Sequence, residues 1–301
     1  MISRFVSYTI LMVFLTTGGW LHAEALTQST PRKIVSDDFT KNRQQPATQT
    51  PKSKQPKRTY RLASASPATK QATISKSTVA QLGITIWRLR PTNANDTGAR
   101  MLVKEKTKTS EFVPERVEAG TTFREGDQVR LTIESAQTGY LYVIDRELLV
   151  DGSTGPAMLI YPWTGMQGGN NQVNPGKLID IPAQEDDPSY FTARRSSATH
   201  AGEILTVIVT SSPLDLPISD KPLQISNADV AKWEKLWGGQ TERFEMEGGA
   251  GEPWTATEQQ AATQTGGRQL TREDPAPQTI YRIFVSDTKA LLVNVRLQYG
   301  R

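Results

Sequence analysis

The clearest hydrophobic and polar pattern lies near the middle of the chain. Val129, Leu131 and Ile133 alternate with polar or charged residues. This period of two predicts a strand with one buried face and one solvated face. Residues 135–139 have the composition of a turn, and residues 140–144 are a short aromatic and β-branched run. We therefore expect two strands joined as a hairpin.

Short apolar segments of the same kind recur throughout residues 81–301, which we interpret as the β-sandwich domain. Residues 204–209 are apolar or β-branched without interruption, as is typical of a central strand buried on both faces. Residues 279–285 and 291–297 flank a polar turn and predict a closing hairpin over residues 279–298. No strand is followed by a crossover helix, so the pattern predicts a mainly β fold, an antiparallel Ig-like β-sandwich.

Two helical segments interrupt the pattern within residues 216–278. In the first, Trp233 and Trp237 stand at helical spacing between a polar cap and two glycines. A Thr-x-x-Glu capping box precedes the second. We expect residues 216–278 to form a small helical insertion packed on one side of the sandwich. Trp233, Trp237 and Trp254 are its expected anchors, because a small helix needs large apolar side chains to hold it.

The N-terminal part of the chain has a different composition. Residues 1–25 combine a basic start, an apolar run and a small-x-small sequence, which together predict a secretory signal peptide. The apolar run is shorter than the ~20 residues of a spanning helix, so an uncleaved anchor is the alternative. Residues 26–80 are mostly Thr, Ser, Gln, Pro, Lys and Arg. They predict a disordered basic linker, because they offer little apolar surface to offset the entropy of ordering.

Charge is distributed unevenly along the chain. Residues 26–80 hold 11 basic and two acidic residues, whereas residues 81–301 hold 23 basic and 28 acidic residues. The net charge of +4 therefore comes from the N-terminal part, and no nucleic-acid partner is expected. The basic segment predicts a solvated tether, with contact to an anionic surface as the alternative. We expect no transmembrane span after cleavage.

The residue inventory excludes several enzyme classes. The chain has no cysteine and two histidines, His22 and His200. Thiolate nucleophiles, disulfides and the usual His and Cys zinc sites are therefore excluded. His200 lies in a polar stretch, where a lone histidine is expected to be solvated. We predict no cofactor and no enzyme activity.

Two groups of residues are candidate sites. Tyr161 and Trp163, with Asn170, Asn171 and Asn174, offer aromatic faces and amides that suit sugars or extended peptides. The alternative is that the two aromatic side chains only cover the end of the core.

The second group is the acidic cluster Glu185, Asp186 and Asp187. Adjacent carboxylates could bind Ca²⁺ or act as the acid and base of a hydrolase. An exposed acidic turn is the simpler interpretation, because neighbouring loop positions rarely converge on one point.

Several motifs together resemble one protein family. They are Phe-Arg-Glu-Gly-Asp-x-Val-Arg-Leu from Phe123, Gly-Tyr-Leu-Tyr-Val-Ile from Gly139, Leu-Ile-Tyr-Pro from Leu159, Asn-x-Val-x-Pro-Gly from Asn171 and Gly-Glu-x-Leu-Thr-Val-Ile-Val from Gly202. Over residues 82–215 the chain resembles the bacterial domain of unknown function family 4384. The resemblance implies an extracytoplasmic or regulatory module, sometimes attached to caspase-like or kinase domains. It implies no reaction and no catalytic residues.

Together these observations predict a secreted or periplasmic, non-enzymatic interaction or ligand-binding module of the cell envelope. Its expected partner is a protein or a glycan. The alternatives are a carboxylate-based carbohydrate hydrolase and a structural subunit of an envelope assembly.

Overall fold

The computed structural model describes residues 34–45, 58–65, 78–96, 99–105, 108–263, 267–285 and 290–300. The predicted signal peptide lies outside these residues. The strands in chain order are β1 (Tyr60–Ala65), β2 (Thr78–Pro91), β3 (Met101–Glu105), β4 (Lys108–Val117), β5 (Thr122–Phe123), β6 (Gln128–Ser135), β7 (Gly139–Leu149), β8 (Ala157–Tyr161), β9 (Gln172–Val173), β10 (Ile179–Ile181), β11 (Phe191–Thr192), β12 (His200–Thr210), β13 (Leu223–Ile225), β14 (Gln240–Met246), β15 (Thr279–Val285) and β16 (Ala290–Tyr299). The helices are α1 (Ile34–Thr40), α2 (Asn227–Trp237) and α3 (Ala256–Ala261).

Within the described residues the strands form two sheets. The first has the order β1-β14-β15-β2-β4-β3, and β6 with β10 and β11 continues it from the other edge of β2. The second has the order β13-β8-β7-β12-β16-β5, with β9 also on β7. All pairings are antiparallel except that of β16 with β5. The prediction of a mainly β, antiparallel fold is therefore confirmed.

The main core lies between the two sheets. Leu131 and Ile133 of β6 face inward from the first sheet, and Val143 of β7 and Val207 of β12 face inward from the second. Strand β12 lies between β7 and β16, so the prediction of a central strand at residues 204–209 is confirmed. Because successive side chains of a strand point to opposite faces, each sheet has one face in this core and one outer face.

The two predicted hairpins are wrong. Strand β6 belongs to the first sheet and β7 to the second, and β15 and β16 are divided in the same way. Their apolar side chains meet face to face across the core instead of side by side within one sheet. A period of two identifies the buried face of a strand, but it is the same for a hairpin partner and for a partner in the opposite sheet.

The predicted insertion at residues 216–278 is also more integrated than expected. Strand β14 pairs with β15 and β1 in the first sheet, and β13 pairs with β8 in the second. Helix α2 packs on the outer face of the second sheet through Val230, Trp233 and Trp237. Trp254 and Ala261 pack instead on the outer face of the first sheet, beside Trp87. The segment therefore covers both outer faces, and the prediction of packing on one side is wrong.

Two parts of the predicted disordered linker are folded. Helix α1 buries Val35 and Phe39, four residues apart on one face, and β1 buries Tyr60. They pack with Ile280 of β15 in a separate apolar cluster. The prediction of disorder is therefore wrong for residues 34–45 and 58–65, and also for residues 78–80 at the start of β2; the rest of the linker lies outside the described residues.

Buried ion pairs hold the outer layer on the first sheet. Arg43 donates to both carboxylate oxygens of Glu134, at 2.7 and 2.6 Å. Arg130 donates to Asp180 at 2.6 Å, and burial raises the pKa of Asp180 to about 6 although Arg130 acts to lower it. A further pair joins Arg116 to Glu258 of α3, and Arg116 and Arg130 lie over the rings of Trp87 and Trp254. These arginines serve packing, and each would leave a buried carboxylate unpaired if removed.

Candidate functional site

A groove opens between the two sheets along one edge of β16. Its volume is about 540 Å³, within the usual range for ligand sites. Strand β16 forms one wall with Asn294, Arg296 and Gln298, and β14 contributes Thr241 and Arg243. We call this cavity the β16 groove.

The groove exists because the second sheet ends before the first. On its outer edge β16 pairs with β5 only at Gln298 and Tyr299, and a single bridge joins Leu292 to Gly238. Among the described residues, no strand pairs with the edge between these contacts. Strand β15 packs over β16, and β14 and β1 continue the first sheet beyond it. A strip of the first sheet's inner face is therefore left without a facing strand.

The charge of the β16 groove comes mainly from Arg243. The side chain is 28% exposed, and its Nε lies 3.5 Å from Glu245 Oε1 without a hydrogen bond to any described residue. Glu245 already accepts hydrogen bonds from the Ala119 amide and the Thr279 hydroxyl. Tyr281 lies beside the guanidinium, and burial raises the pKa of its hydroxyl. Arg243 is thus paired with a buried carboxylate, and a ligand could contact only the exposed 28% of its side chain.

The carboxylate of the groove wall is already bound. Glu234 of α2 accepts hydrogen bonds from Arg146 at 2.6 Å and from Asn294 at 2.9 Å, both at its Oε1. Arg296 is exposed on β16. Glu234 is paired with Arg146 and Arg243 with Glu245, so the groove-lining cation without an ion pair among the described residues is Arg296.

A second polar group lies at the far end of the core, at inward positions of three strands. Glu203 of β12 stands opposite Glu147, and Asp145 stands opposite Leu205. The Tyr299 hydroxyl donates to Glu203 Oε1 at 3.0 Å. Asp145 Oδ1 and Glu203 Oε2 are buried, with no hydrogen-bond partner among the described residues. We call Asp145 and Glu203 the acid pair.

Burial disfavours the charged form of both carboxyls in the acid pair. Burial, together with the nearby charge of Glu203, raises the pKa of Asp145 to about 7. Burial also raises the pKa of Glu203 to about 7, although the Tyr299 hydrogen bond acts to lower it. The pair therefore takes up protons near neutral pH.

His200 borders this pair and is not solvated as predicted. Its side chain is 2% exposed, and its ring packs edge-on against Tyr299. The Ser196 amide donates to Nδ1 at 3.0 Å, and Nε2 lies 2.8 Å from the Gly202 carbonyl oxygen. A carbonyl can only accept, so Nε2 carries the proton and the ring is held in one tautomer.

Sequence reasoning missed the acid pair, although a signal was present. Asp145 directly follows the apolar run at residues 140–144, and Glu203 directly precedes the run at residues 204–209. Counted in steps of two along each strand, both residues fall on the face that points into the core. A carboxylate that continues a buried face beyond the apolar run is therefore a marker for such a pair.

The predicted aromatic and amide residues are close together, but several of their polar groups serve the fold. Tyr161 is fully buried and its hydroxyl donates to the Asn170 carbonyl at 3.1 Å. Asn171 is buried and its amide donates to the Leu141 carbonyl at 3.0 Å. The Asn170 side chain accepts from a backbone amide two residues later. These contacts favour the alternative interpretation, a loop that covers the core.

The other two predicted residues have similar roles. Trp163 is half-buried and packs against the main core. Its indole lies so close to Gly165 that a side chain there would collide with it. Asn174 accepts a hydrogen bond from the Thr138 hydroxyl at 3.0 Å. Both residues fasten the loop between β8 and β10.

The predicted acidic cluster does not form a metal site in the described part of the chain. Asp186 accepts from the Ala183 amide at 2.8 Å, and burial raises the pKa of its carboxyl. Glu185 and Asp187 are exposed. Among the described residues, no group of three or more acidic or histidine side chains could hold a metal ion. Burial lowers the pKa of Arg130, and the charges of Asp180, Glu185 and Asp186 offset part of that effect.

Comparisons with known proteins add no relative. No protein-family model, no curated protein and no solved structure matches the chain. The resemblance to the family of unknown function therefore stays a prediction. In the part of the chain that the structure describes, no helix has the length and apolar character to cross a membrane.

Proposed function

We propose that the chain is an exported, non-catalytic binding module of the cell envelope and that its ligand occupies the β16 groove. The single observation that carries this proposal is the incomplete second sheet, which leaves one edge of β16 open beneath an overhang of the first sheet. An open sheet edge next to a cavity is a common place for binding, because its backbone groups need hydrogen-bond partners.

The chemistry of the groove wall supports binding rather than bond-making. Among the described residues that line the groove, one is acidic. This is Glu234, whose Oε1 already accepts two hydrogen bonds. Glycoside hydrolysis by carboxylates needs two of them, one as acid and one as base or nucleophile. Arg243 and the amide side chains of β16 can hold a ligand without removing a proton.

Site-specific photo-crosslinking in cells tests this proposal. A photoreactive residue replaces Gln298, which lines the groove, or Thr192, an exposed strand residue on β11. We expect adducts from position 298 in the envelope fraction, and we expect Thr241→Trp to remove them by filling the groove. Thr192→Trp is the matched control. Equal adducts from both positions, or adducts that survive Thr241→Trp, contradict the proposal.

A carbohydrate hydrolase is the second candidate, because the acid pair has the raised carboxyl pKa values typical of a general acid. The pair is bordered by His200 and Tyr299 at the end of the core. The test is product release from a panel of oligosaccharides. Cleavage by the native chain that Asp145→Asn abolishes would favour the hydrolase, and no cleavage would reject it.

A further inference from the structure

The outer edge of β16 lacks the features that usually protect a free strand. Natural sheet edges are blocked by proline, lysine, bulges or very short strands. Strand β16 has ten residues, contains neither proline nor lysine, and pairs with β12 over nine residues without a register shift. Its outer edge is therefore regular and able to pair with another strand.

The shape of the β16 groove fits one added strand. Residues 293–297 span ~16 Å at about 3.3 Å per residue, enough for a segment of about five residues. The overhanging strand β14 lies across the groove from this edge.

The charge of the groove indicates which side chains the ligand segment carries. Arg243 and Arg296 line the groove, while Glu234 is neutralised by Arg146. Arg243 Nε is buried and lies 3.5 Å from Glu245, so a ligand would contact the exposed part of the guanidinium. A carboxylate suits both arginines, because guanidinium and carboxylate groups match in geometry. The basic residues 26–80 of this chain have the wrong charge for that role.

We propose, on the basis of the proposed function, that the β16 groove takes an extended, carboxylate-bearing polypeptide segment from another protein. The segment adds to β16 by backbone hydrogen bonds, as in other cases of strand addition. One of its inward-facing Asp or Glu side chains binds Arg243. The ligand is therefore recognised by its conformation and by one negative charge.

Fluorescence anisotropy with designed peptides tests this proposal on the mature full-length chain. The probe is a heptapeptide that alternates Thr and Val and carries one central Glu. Two matched peptides carry Gln or Lys at that position, and a third carries N-methyl groups on the amides of one edge. We expect the Glu peptide to bind at least about tenfold more tightly than the Gln peptide, as for a charge-assisted pair. We expect the N-methylated peptide not to bind.

Variants then assign the charge preference to one residue. Arg243→Gln should make the Glu and Gln peptides bind equally, while Arg100→Gln, a matched change at an exposed arginine, should keep the preference. Equal binding of the Glu, Gln and Lys peptides to the native chain overturns the charge assignment without needing any variant. Binding of the N-methylated peptide in turn overturns strand addition.

The outcomes separate this inference from the proposed function. Crosslinks at position 298 without binding of any peptide reject the polypeptide ligand and leave the groove as a site for another ligand. Absence of both the crosslinks and the peptide binding rejects this inference and the proposed function. A concentration-dependent dimer in sedimentation that Thr241→Trp disrupts would overturn the inference in favour of a second copy of this chain.

Discussion

The free energy of unfolding should fall as the pH rises from 5 to 8, because the fold buries the acid pair and favours its protonated form. The pKa of Asp145 rises from 3.8 to about 7. A carboxyl with a raised pKa contributes its stability fully below the unfolded value and loses it as the pH rises through the folded value. The window is therefore about pH 4 to 7, and the loss is steepest near its middle, where the unfolded carboxyl is ionised and the folded one is still protonated.

The size of the effect follows from the pKa of Asp145. A rise of about three units corresponds to ~4 kcal/mol at 1.4 kcal/mol per unit. We count it once for the acid pair, since part of the Asp145 shift comes from the charge of Glu203. We therefore expect the native chain to lose about 4 kcal/mol between pH 4 and pH 8 through this pair. Other buried carboxyls with raised pKa values, such as Asp180, add to the loss.

Urea unfolding at a series of pH values, followed by tryptophan fluorescence, measures this loss. Asp145→Asn keeps the size of the side chain and removes its charge. The variant should match the native chain near pH 4, exceed its stability at pH 8 by about 2–4 kcal/mol, and show a flatter slope between. Asp151→Asn, in the exposed turn after β7, should leave the slope unchanged over the same range. Parallel curves for the native chain and Asp145→Asn would refute the burial argument.

Three further predictions concern packing. Arg43→Gln leaves the Glu134 carboxylate buried and should cost about 3–5 kcal/mol in urea unfolding; adding Glu134→Gln should recover part of the loss, and no recovery contradicts the ion-pair account. Gly83→Ala places a methyl group against the ring of Pro277 and should cost about 1–3 kcal/mol, measured by thermal unfolding. Trp254→Ala empties a fully buried site and should cost about 3–5 kcal/mol in urea, so a loss below about 1 kcal/mol would show that the indole is not an anchor.

The individual strands could be predicted from the sequence because their signal is local. Residues 204–209 are apolar without interruption, and a segment of that kind is stable only with both faces covered. The partners of each strand are not local. Strand β6 shows the same alternation whether β7 pairs beside it or faces it across the core, so the hairpin predictions had no information to separate the two cases.

The candidate sites depend on the same long-range arrangement. The β16 groove results from a difference in width between two sheets, which no segment of the sequence encodes alone. The acid pair is defined by strands β7 and β12 pairing in one register. The residues around Arg43 have the composition of a solvated linker. Its burial depends on Glu134, 91 positions away along the chain. Only its distant partner distinguishes Arg43 from the other basic residues of that segment.

The hydrogen bonds of the Arg43 guanidinium affect the rate of folding. This guanidinium also donates to the backbone carbonyls of Thr271, Asp274 and Pro275, more than 220 positions along the chain. A ribosome or translocation channel releases the beginning of the polypeptide long before these acceptors emerge. These hydrogen bonds therefore form only after most of the chain is available, and we expect refolding in the millisecond to second range or slower, since distant contacts delay the rate-limiting step.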